Sequence, residues 1–312
     1  MVRSVLRSAA VVVAGLATFA CGGGSVGFLS IGTGGTGGIY YPLGGAIASL
    51  LSTADPGRQY TAEVTGGSVE NISRIANGQI DVGFTMSPSA VAGYEGIDRD
   101  APVGDLRIVA PLYPNLTHLL VRGSLQVDSL GDMRGRVISV GSAGSGTEEL
   151  ARHLLPAFGL DYDSIDARFL SFSESSAALR DGAIDAAIIS VGYPAAAVLE
   201  ATTNASVRLL PITGEGAAEL QRRHRYYYEA TIPAGTYRGQ DEDVPTVAVM
   251  NWLVGLESLD DTIVVNLLDI IRDQRPALVR VNDIARQIDL DALNRAPIPL
   301  HPAAQRWLED NR

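Results

Sequence analysis

The feature that most constrains the fold is a unit of a short apolar strand, a glycine loop and a helix, which occurs twice along the chain. The first copy has FLSI followed by the loop GTGGTGG at Gly32, and the second has RVISV followed by GSAGSGT at Gly141. Each unit later contains a Gly-x-Ile-Asp segment that leads into a further strand, at Gly78 and at Gly182. Because strands alternate with helices, the sequence predicts an α/β fold with parallel sheets.

Two such units in one chain predict two lobes, each with its glycine loop at the carboxyl end of a strand. Open α/β sheets bind ligands at that end, so we expect a ligand cleft between the lobes. The segment RIVAPLYPNLTHLLVR, which ends at Arg122, and the segment TVAVMNWLVG, from Thr246 to Gly255, are the expected crossings. The predicted division places residues 28–115 and 240–312 in the first lobe and residues 116–239 in the second.

The N-terminus predicts export. Arg3 and Arg7 precede an apolar run from Ala9 to Ala20, which is typical of a signal peptide over residues 1–20 and is too short to span a membrane stably. Cys21, the only cysteine, follows directly and is a candidate for lipidation, with residues 21–27 as a flexible tether. The alternative is cleavage by the general signal peptidase, which leaves a free thiol. Either route predicts a periplasmic or otherwise extracytoplasmic protein.

The charge of the chain limits its partners. The formal net charge is -11, and all of the strongly basic side chains are arginine, because the chain contains no lysine. Nucleic acids and anionic membranes bind clustered positive charge, so we expect neither as a partner, apart from a possible lipid anchor. The length suffices for two lobes with their own cores, and we expect a monomer.

The glycine loops predict an anion site. Glycine lets backbone N–H groups approach a ligand, and a helix N-terminus carries partial positive charge, so that no cationic side chain is needed. In the first loop, Thr33, Thr36, Tyr40 and Tyr41 are candidates to donate hydroxyl groups.

A dinucleotide site is the first alternative, because Gly32, Gly34 and Gly37 fit the spacing G-x-G-x-x-G. That reading needs an acidic residue at the end of the second strand to bind the ribose. Glu63 lies inside that strand and Asp55 in the turn before it, so the acid is misplaced.

The second loop leaves two interpretations open. Its glycines are spaced as in a P-loop, but the lysine that reaches the phosphates is missing. Ser145 stands in a partial hydrolase elbow, whose flanking small residues are replaced by Ala143 and Thr147. Ser145 with Glu148 also fits a capping box, so Ser145 either binds ligand with Gly146 and Thr147 or only caps the helix.

The segment TGGSVENI offers a third set of candidates. Ser68 is expected to cap the helix, and Asn71, one turn later, either reaches the cleft or lies on the surface. Catalytic and metal-binding constellations are missing from the sequence, and the four histidines, at positions 118, 153, 224 and 301, have neither ligand spacing nor a partnered cysteine. We expect no metal, no cofactor and no enzymatic activity.

Taken in order, several motifs resemble the TAXI receptors, the solute-binding subunits of tripartite ATP-independent periplasmic (TRAP) transporters. These motifs are IGTGGTGGIYYPLGGAIASLL, VTGGSVENI, LYPNLTHLLV, VGSAGSGTE, LRDGAIDAA, IPAGTY and HPAAQRW, and they extend from Phe28 to the end of the chain. The resemblance implies a type II-like periplasmic-binding-protein fold, with a small carboxylate held between the lobes. It also implies delivery to a membrane permease that uses a sodium gradient. The alternatives are a receptor for a membrane signalling partner and a secreted serine hydrolase.

The resemblance also implies which residues bind the ligand. Carried over residue by residue, the expected ligand-binding set is Thr33, Gly34, Thr36, Tyr41, Ser68, Asn71, Ser87, Ser145, Gly146, Thr147 and Tyr193. One departure is informative, because the family usually has a Gln-Ser-Asp-like triplet where this chain has Met86-Ser87-Pro88. If the lost amide and carboxylate normally bind an amino group, this chain should prefer a di- or keto-carboxylate to an amino acid.

Overall fold

The computed structural model describes residues 27–204 and 206–311. The signal peptide and Cys21 therefore lie outside the described residues, and so does the tether except for Gly27, which already belongs to the first strand. The strands are β1 (Gly27–Gly32), β2 (Arg58–Glu63), β3 (Val82–Met86), β4 (Leu106–Arg122), β5 (Val137–Ser139), β6 (Asp166–Arg168), β7 (Ala186–Val191), β8 (Val207–Leu210), β9 (Tyr228–Ile232) and β10 (Val244–Leu256). The α-helices are α1 (Tyr40–Ala54), α2 (Ser68–Ala76), α3 (Ser87–Glu95), α4 (Gly146–Ala157), α5 (Phe172–Arg180), α6 (Ala196–Asn204), α7 (Gly214–Arg223), α8 (Asp261–Asp273), α9 (Arg275–Val281) and α10 (Pro302–Asp310).

The sheet has the strand order β2-β1-β3-β10-β4-β7-β5-β6, with β8 beside β4 and β9 beside β10. Strand β1 pairs in parallel with β2 and β3, and β5 pairs in parallel with β6 and β7. The two repeated units of the sequence are therefore two parallel three-stranded units, and the strand before each glycine loop is central in its unit. The predicted α/β architecture with two lobes is confirmed, and the parallel units are joined antiparallel through β4 and β10.

Strands β4 and β10 connect the two halves of the sheet. The first part of β4 pairs only with β10, whereas from Leu116 onward it also pairs with β7. Strand β10 pairs with β9 up to Ala248 and with β3 from Asn251. The change of partner thus lies near 115 in β4 and between 248 and 251 in β10. The division of the chain at 115/116 and 239/240 stays a prediction.

The core lies between the sheet and its helices. Helix α1 buries Leu43, Ile47 and Leu51, and the C-terminal helices α8 and α9 pack against α1. Leu300, just before α10, forms a parallel bridge with Ile108 in β4. The C-terminal segment therefore covers the first lobe, which is the packing that the sequence predicted.

The segment ARFLSFSESS folds differently from its local pattern, which indicates a strand over ARFLSF and a polar loop at SESS. Strand β6 ends at Arg168, and SESS lies in α5. The reason is a capping box, in which the Ser171 hydroxyl accepts from the Glu174 N–H and the Glu174 carboxylate accepts from the Ser171 N–H. This reciprocal cap starts the helix earlier than the strand pattern suggested.

Candidate functional site

A small cavity of about 60 Å³ lies where the two lobes meet. Segments from both lobes enclose it, and the lining contains no aspartate, glutamate, histidine, arginine or lysine. The lining residues are Gly34, Gly35, Gly38, Ile39, Tyr40, Gly66, Gly67, Ser68, Met86, Tyr113, Asn115, Ser142, Ser145, Gly146, Thr147, Ser171, Phe172, Ser190 and Val191. A charged ligand in this cavity must therefore interact with backbone groups and neutral side chains.

Four helices begin at this cavity. The first residue of α1 lines it, and so do the first residues of α2, α4 and α5, which are Tyr40, Ser68, Gly146 and Phe172. The first N–H groups of a helix lack intrahelical partners, and the helix dipole places partial positive charge there. Convergence of four such ends makes the cavity favourable for an anion without any cationic side chain.

The four helix ends differ in what already occupies their donors. The Ser145 hydroxyl accepts from the Glu148 N–H at 3.0 Å in α4, and α5 has the Ser171 cap. At α2, the Glu70 carboxylate accepts from the N–H of Gly66 at 2.7 Å. Helix α1 has neither a capping side chain nor an acidic residue in its first turn. Its donors are therefore the most available to a ligand.

Five of the predicted ligand-binding residues line the cavity, namely Gly34, Ser68, Ser145, Gly146 and Thr147. Ser145 does cap α4, as its spacing with Glu148 predicted, and it lines the cavity as well. The box is one-sided, because the Glu148 carboxylate bonds Arg152 instead of returning to the cap. The Ser145 side chain therefore caps α4 and also faces the cavity.

The prediction that Ser68 caps α2 is wrong. Ser68 is the first helical residue, with Gly67 in the cap position, and no side chain caps this helix. The Ser68 hydroxyl instead accepts a hydrogen bond from the N–H of Met86, with a distance of 3.1 Å between N and Oγ. Ser68 therefore ties α2 to the end of β3 at the wall of the cavity.

Thr33 and Asn71 do not line the cavity, because their side chains are committed to the backbone. The Thr33 hydroxyl donates to the carbonyl of Glu63 at 2.6 Å. The Asn71 amide donates to the carbonyls of Gly32, Thr33 and Phe84, and its oxygen accepts from the Thr65 hydroxyl. Both residues fix the first glycine loop from behind. The surface position that we kept open for Asn71 is also wrong, since Asn71 is fully buried.

Four other predicted residues lie outside the cavity lining as well. Thr36 and Tyr41 are exposed, and Tyr193 packs against the hydrophobic core. Ser87 is buried and accepts from the Trp252 indole N–H at 2.8 Å while it donates to the carbonyl of Met250. Of the Met86-Ser87-Pro88 triplet, only Met86 reaches the cavity.

Sequence reasoning missed the residues that β4 and β7 contribute, which include Tyr113, Asn115 and Ser190. Two of them carry polar atoms without a hydrogen-bond partner among the described residues, namely Tyr113 Oη and Asn115 Oδ1. Both side chains are buried, Tyr113 fully and Asn115 with 4% of its surface exposed. The available signal was a single amide, Asn115, in the mostly apolar segment LYPNLTHLLV, which also contains Thr117 and His118.

The lobes contact each other directly at the glycine loops. The N–H groups of Val69 and Glu70 donate to the carbonyl of Gly144 at 3.1 and 3.0 Å. On the other side, the N–H of Ala197 donates to the carbonyl of Gly37 at 3.3 Å. These bonds join α2 to the second loop and the first loop to α6. The structure therefore shows the lobes in a closed arrangement.

A larger groove of about 770 Å³ lies between helices α2 and α3 of the first lobe and helix α4 of the second, where His224 and Tyr226, just after α7, also line it. There the Ser89 hydroxyl donates to the Glu149 carboxylate, and burial raises the pKa of Glu149 to about 7. The rings of His153 and His224 stack at 3.9 Å, and burial lowers the pKa of His153 to about 4. In the described part of the chain, acidic and histidine residues form no group of three that is suited to a metal ion.

The geometry does not suit a dinucleotide. A cavity of about 60 Å³ is far smaller than such a ligand. Glu63, the nearest acid to the position that binds ribose, forms an ion pair with Arg74. Within residues 27–204 and 206–311, no helix has the length and apolar character needed to cross a membrane.

Comparison with solved structures identifies the fold. The phosphonate-binding protein PhnD1 from Prochlorococcus marinus, in complex with methylphosphonate, has a TM-score of 0.58 and 13% identity, over 91% of this chain and 96% of that one. The alkanesulfonate-binding protein SsuA from Xanthomonas axonopodis pv. citri, bound to MOPS, has a TM-score of 0.50 and 17% identity, over 91% and 90%. At these identities the likeness establishes the two-lobed periplasmic-binding-protein fold.

The family is established by a separate match. The model of the NMT1-like family matches residues 31–311, which is nearly all of the described chain. The narrower assignment to receptors of TRAP transporters stays a prediction. The chain belongs to the NMT1-like family.

Proposed function

We propose that this protein is a solute-binding receptor that holds a small carboxylate between its lobes and is not an enzyme. The observation that carries the proposal is the convergence of four helix N-termini on one cavity whose lining has no charged side chain. Such a cavity favours an anion through backbone N–H groups and helix dipoles. The fold neighbours support an anionic ligand, since PhnD1 is in complex with methylphosphonate and the alkanesulfonate-binding protein SsuA is bound to MOPS.

The cavity residues have distinct roles in this proposal. The N–H groups of Ile39, Tyr40 and Tyr41 at the start of α1 hold the carboxylate, because no side chain caps this helix. The N–H of Gly38 donates to the carbonyl of Gly35 at 3.2 Å. Gly146 and Thr147 present the start of α4 from the opposite lobe. The hydroxyl groups of Ser68 and Ser145 complete the polar lining. Met86 presents a thioether where related receptors have an amide, which favours a ligand without an amino group at that point.

Closure of the lobes is the event that a membrane partner would recognise. The bonds from Val69 and Glu70 to Gly144 form only when the lobes are together, so that a ligand which bridges the lobes stabilises them. We infer from the TAXI resemblance that the closed form delivers its ligand to a sodium-coupled TRAP permease. A TRAP permease gene beside the gene of this protein would support this inference, and an ATP-driven importer or a membrane sensor there would favour those partners instead.

The hydrolase alternative is less well supported. A serine nucleophile needs a general base within hydrogen-bond reach. The Ser145 hydroxyl accepts from the Glu148 N–H, and His153, on the same helix, bonds Tyr227 instead. Replacement of Ser145 by alanine should abolish an esterase but only weaken a receptor.

Export and lipidation remain proposals about residues outside the described range. Intact mass measured on the membrane fraction would distinguish a lipidated Cys21 from a cleaved chain with a free thiol.

The function is tested by thermal unfolding of the mature protein against a panel of ligands. The panel contains glutamate, glutamine, 2-oxoglutarate, succinate, methylphosphonate, a short alkanesulfonate and NAD. A ligand at 100 times its Kd adds about 2.7 kcal/mol to the free energy of unfolding, which corresponds to a shift of a few degrees. We expect a shift with a carboxylate. A shift with NAD alone, or only with phosphonate or sulfonate, would contradict the carboxylate proposal.

A further inference from the structure

The proposed ligand site contains two buried polar atoms that the protein itself does not satisfy. Tyr113 Oη and Asn115 Oδ1 have no hydrogen-bond partner among the described residues, and both residues line the cavity. An unsatisfied buried polar group costs about 1–3 kcal/mol, so such groups in a binding cavity indicate what the ligand supplies.

The two atoms come from one strand. Tyr113 and Asn115 are two residues apart in β4, next to an irregularity in its pairing with β10, and both line the cavity. The strand connects the two halves of the sheet, and residues of both glycine loops line the same cavity. The pair thus forms a floor under any ligand whose carboxylate is held at the helix N-termini.

The orientation of the Asn115 amide is fixed by its other contact. Its nitrogen donates to the carbonyl of Ser190 at 3.2 Å. Rotation of the amide by half a turn would place two oxygen atoms against each other, so Oδ1 is the atom without a partner. An amide oxygen only accepts, and a ligand must therefore bring an O–H or N–H group to it.

The Tyr113 hydroxyl can donate a hydrogen bond to the ligand, whereas Asn115 Oδ1 can only accept one. Burial holds the pKa of Tyr113 well above its usual 10, so the phenol stays protonated and can donate. The nearby Tyr40 hydroxyl cannot take the place of the Tyr113 hydroxyl as a donor to the ligand, because it donates to Asn251 Oδ1. The floor of the cavity thus offers one fixed acceptor and one donor.

We infer that the ligand is a hydroxycarboxylate whose hydroxyl group donates to Asn115 and accepts from Tyr113. This inference rests on the proposed receptor function and narrows its ligand class. A hydroxyl satisfies both atoms at once, whereas a keto oxygen only accepts and an unsubstituted carbon does neither. An ammonium group can donate to Asn115, but it has no lone pair for Tyr113, and the lining has no carboxylate to balance its charge.

The test compares acids that share one carbon skeleton. Calorimetric titration of the mature protein would use malate, oxaloacetate, succinate and aspartate, and the longer set of 2-hydroxyglutarate, 2-oxoglutarate, glutarate and glutamate. In whichever set binds, we expect the hydroxy acid to bind roughly fivefold or more tightly than its keto and unsubstituted analogues, since one net hydrogen bond is worth about 1 kcal/mol. Equal affinities, or tightest binding of the keto, unsubstituted or amino acid, would overturn the inference while the receptor function stands. No binding of any acid would overturn the proposal of a carboxylate receptor itself.

A matched pair of variants assigns the effect to the floor of the cavity. Tyr113→Phe removes a hydroxyl without a protein partner, so the ligand-free variant should unfold at the same or a higher temperature. It should lose part of the preference for the hydroxy acid over the unsubstituted acid and bind the unsubstituted acid within twofold of the parent. The preference over the keto acid should remain, because the Asn115 acceptor sets it. Tyr237→Phe is the control, because its hydroxyl bonds His118 Nε2 at 2.9 Å and lies outside the lining. That variant should unfold at a lower temperature and keep the preference. An unchanged preference of Tyr113→Phe for the hydroxy acid over the unsubstituted acid would contradict the inference.

Discussion

The glycine loop after β1 and the glycine loop after β5 occupy equivalent places in the two halves of the sheet, but they use glycine for different reasons. In the second loop, Gly141 and Gly144 have φ angles of 96° and 74°, which side chains rarely adopt. None of the glycines at 32–38 has a positive φ angle. There, Gly32 and Gly37 lie so close to other groups that a Cβ atom would fall within about 2.5 Å of them. The first loop needs glycine only for space, whereas the second needs it for backbone angles at Gly141 and Gly144 and for space at Gly141 and Gly146.

The helices that follow the two loops differ in the caps and acidic residues at their N-termini. Helix α4 has the Ser145 cap and two acidic residues, Glu148 and Glu149, in its first turn. Helix α1 has no cap and no acid there. Since acids in the first turn offset the positive end of the helix dipole, α1 retains more of its attraction for an anion. We therefore propose that the two loops, although similar in composition, have different roles, in which the first loop binds the anion and the second loop closes over it.

The largest effect is expected from the amide that fixes the first loop. Asn71→Ala leaves the buried carbonyls of Gly32, Thr33 and Phe84 without its donor, and it should lower the free energy of unfolding by about 3–5 kcal/mol. Urea unfolding measures this loss. The corresponding position in α5 makes a simpler contact, Ser175 Oγ to Ser139 Oγ at 2.7 Å.

Asn77, which is exposed at the end of α2, supplies the control for Asn71. Asn77→Ala should change the free energy of unfolding by less than about 0.5 kcal/mol. If Asn71→Ala were no more damaging than this control, the first loop would not depend on the amide.

The second effect concerns the acid in the first turn of α4 and depends on pH. Burial first, and then the charges of Glu148 and Asp98, raise the pKa of Glu149 from 4.5 to about 7, against the opposing bond from Ser89. Its ionisation therefore costs the folded protein stability as the pH rises from 4.5 to 7. Glu149→Gln should match the parent near pH 4 and be more stable at pH 8 by up to about 3 kcal/mol, at about 1.4 kcal/mol per pKa unit.

The difference between parent and variant across pH isolates Glu149, because the low pKa of His153 contributes equally to both proteins. Glu174 in α5 gives a control of opposite sign, since bonds from the Ser171 side chain and backbone lower its pKa. Glu174→Gln should therefore be less stable than the parent at neutral pH and lose that difference as the pH falls. A stability difference for Glu149→Gln that does not change with pH would show that this carboxyl is not perturbed by burial.

The third effect is on ligand affinity. A Cβ atom at Gly146 would lie 2.6 Å from Met86 Sδ and from Ser68 Oγ, both in the other lobe. Gly146→Ala should hinder closure and weaken ligand binding about tenfold or more, with little change in the unfolding of the ligand-free protein. Titration calorimetry measures the affinity.

Gly45, in the exposed middle of α1, is the matched position for this test, because a Cβ atom there meets nothing within 4 Å. Gly45→Ala should leave the affinity unchanged and add about 0.5–1 kcal/mol of stability, since alanine favours a helix over glycine. Equal affinities for the Gly146 and Gly45 variants would refute the closing role of the second loop.

The smallest expected effect is on stability, and it compares a glycine with a positive φ angle, Gly144, with a glycine that has none, Gly35. Gly144→Ala should destabilise the protein by about 1–2 kcal/mol, because its φ angle of 74° is strained for a residue with a side chain. Gly35→Ala should change stability by less than about 0.5 kcal/mol, since its backbone is not in that region and no atom lies within 4 Å of the new Cβ. Equal losses in thermal unfolding would erase the distinction between the loops.

The sequence predicted the parts of this structure that depend on local pattern. The two repeated units, the crossing strands and the Ser145 cap follow from apolar periodicity and from the spacing of glycine and capping residues. Thr33 and Asn71 show the limit, because a buried polar side chain next to a glycine loop suits a ligand and a backbone carbonyl equally well. Only the three-dimensional structure shows that these side chains donate hydrogen bonds to backbone carbonyls.

The floor of the cavity could not be predicted for a different reason. Tyr113 and Asn115 belong to a crossing strand, and their approach to the glycine loops depends on how the two lobes close. That contact joins residues far apart in the sequence, and no local pattern encodes it. The lone amide in an apolar strand indicates a polar partner without identifying it.

The central claim is that an anion is held at the uncapped N-terminus of α1. The most direct measurement is a titration followed by amide nitrogen–proton correlation spectra of the mature protein, with the carboxylate that gives the largest thermal shift. We predict that the largest amide shifts occur at residues 38–41, with smaller shifts at Gly146 and Thr147. Shifts confined to the groove that contains Glu149 and His153, with residues 38–41 unchanged, would contradict the claim.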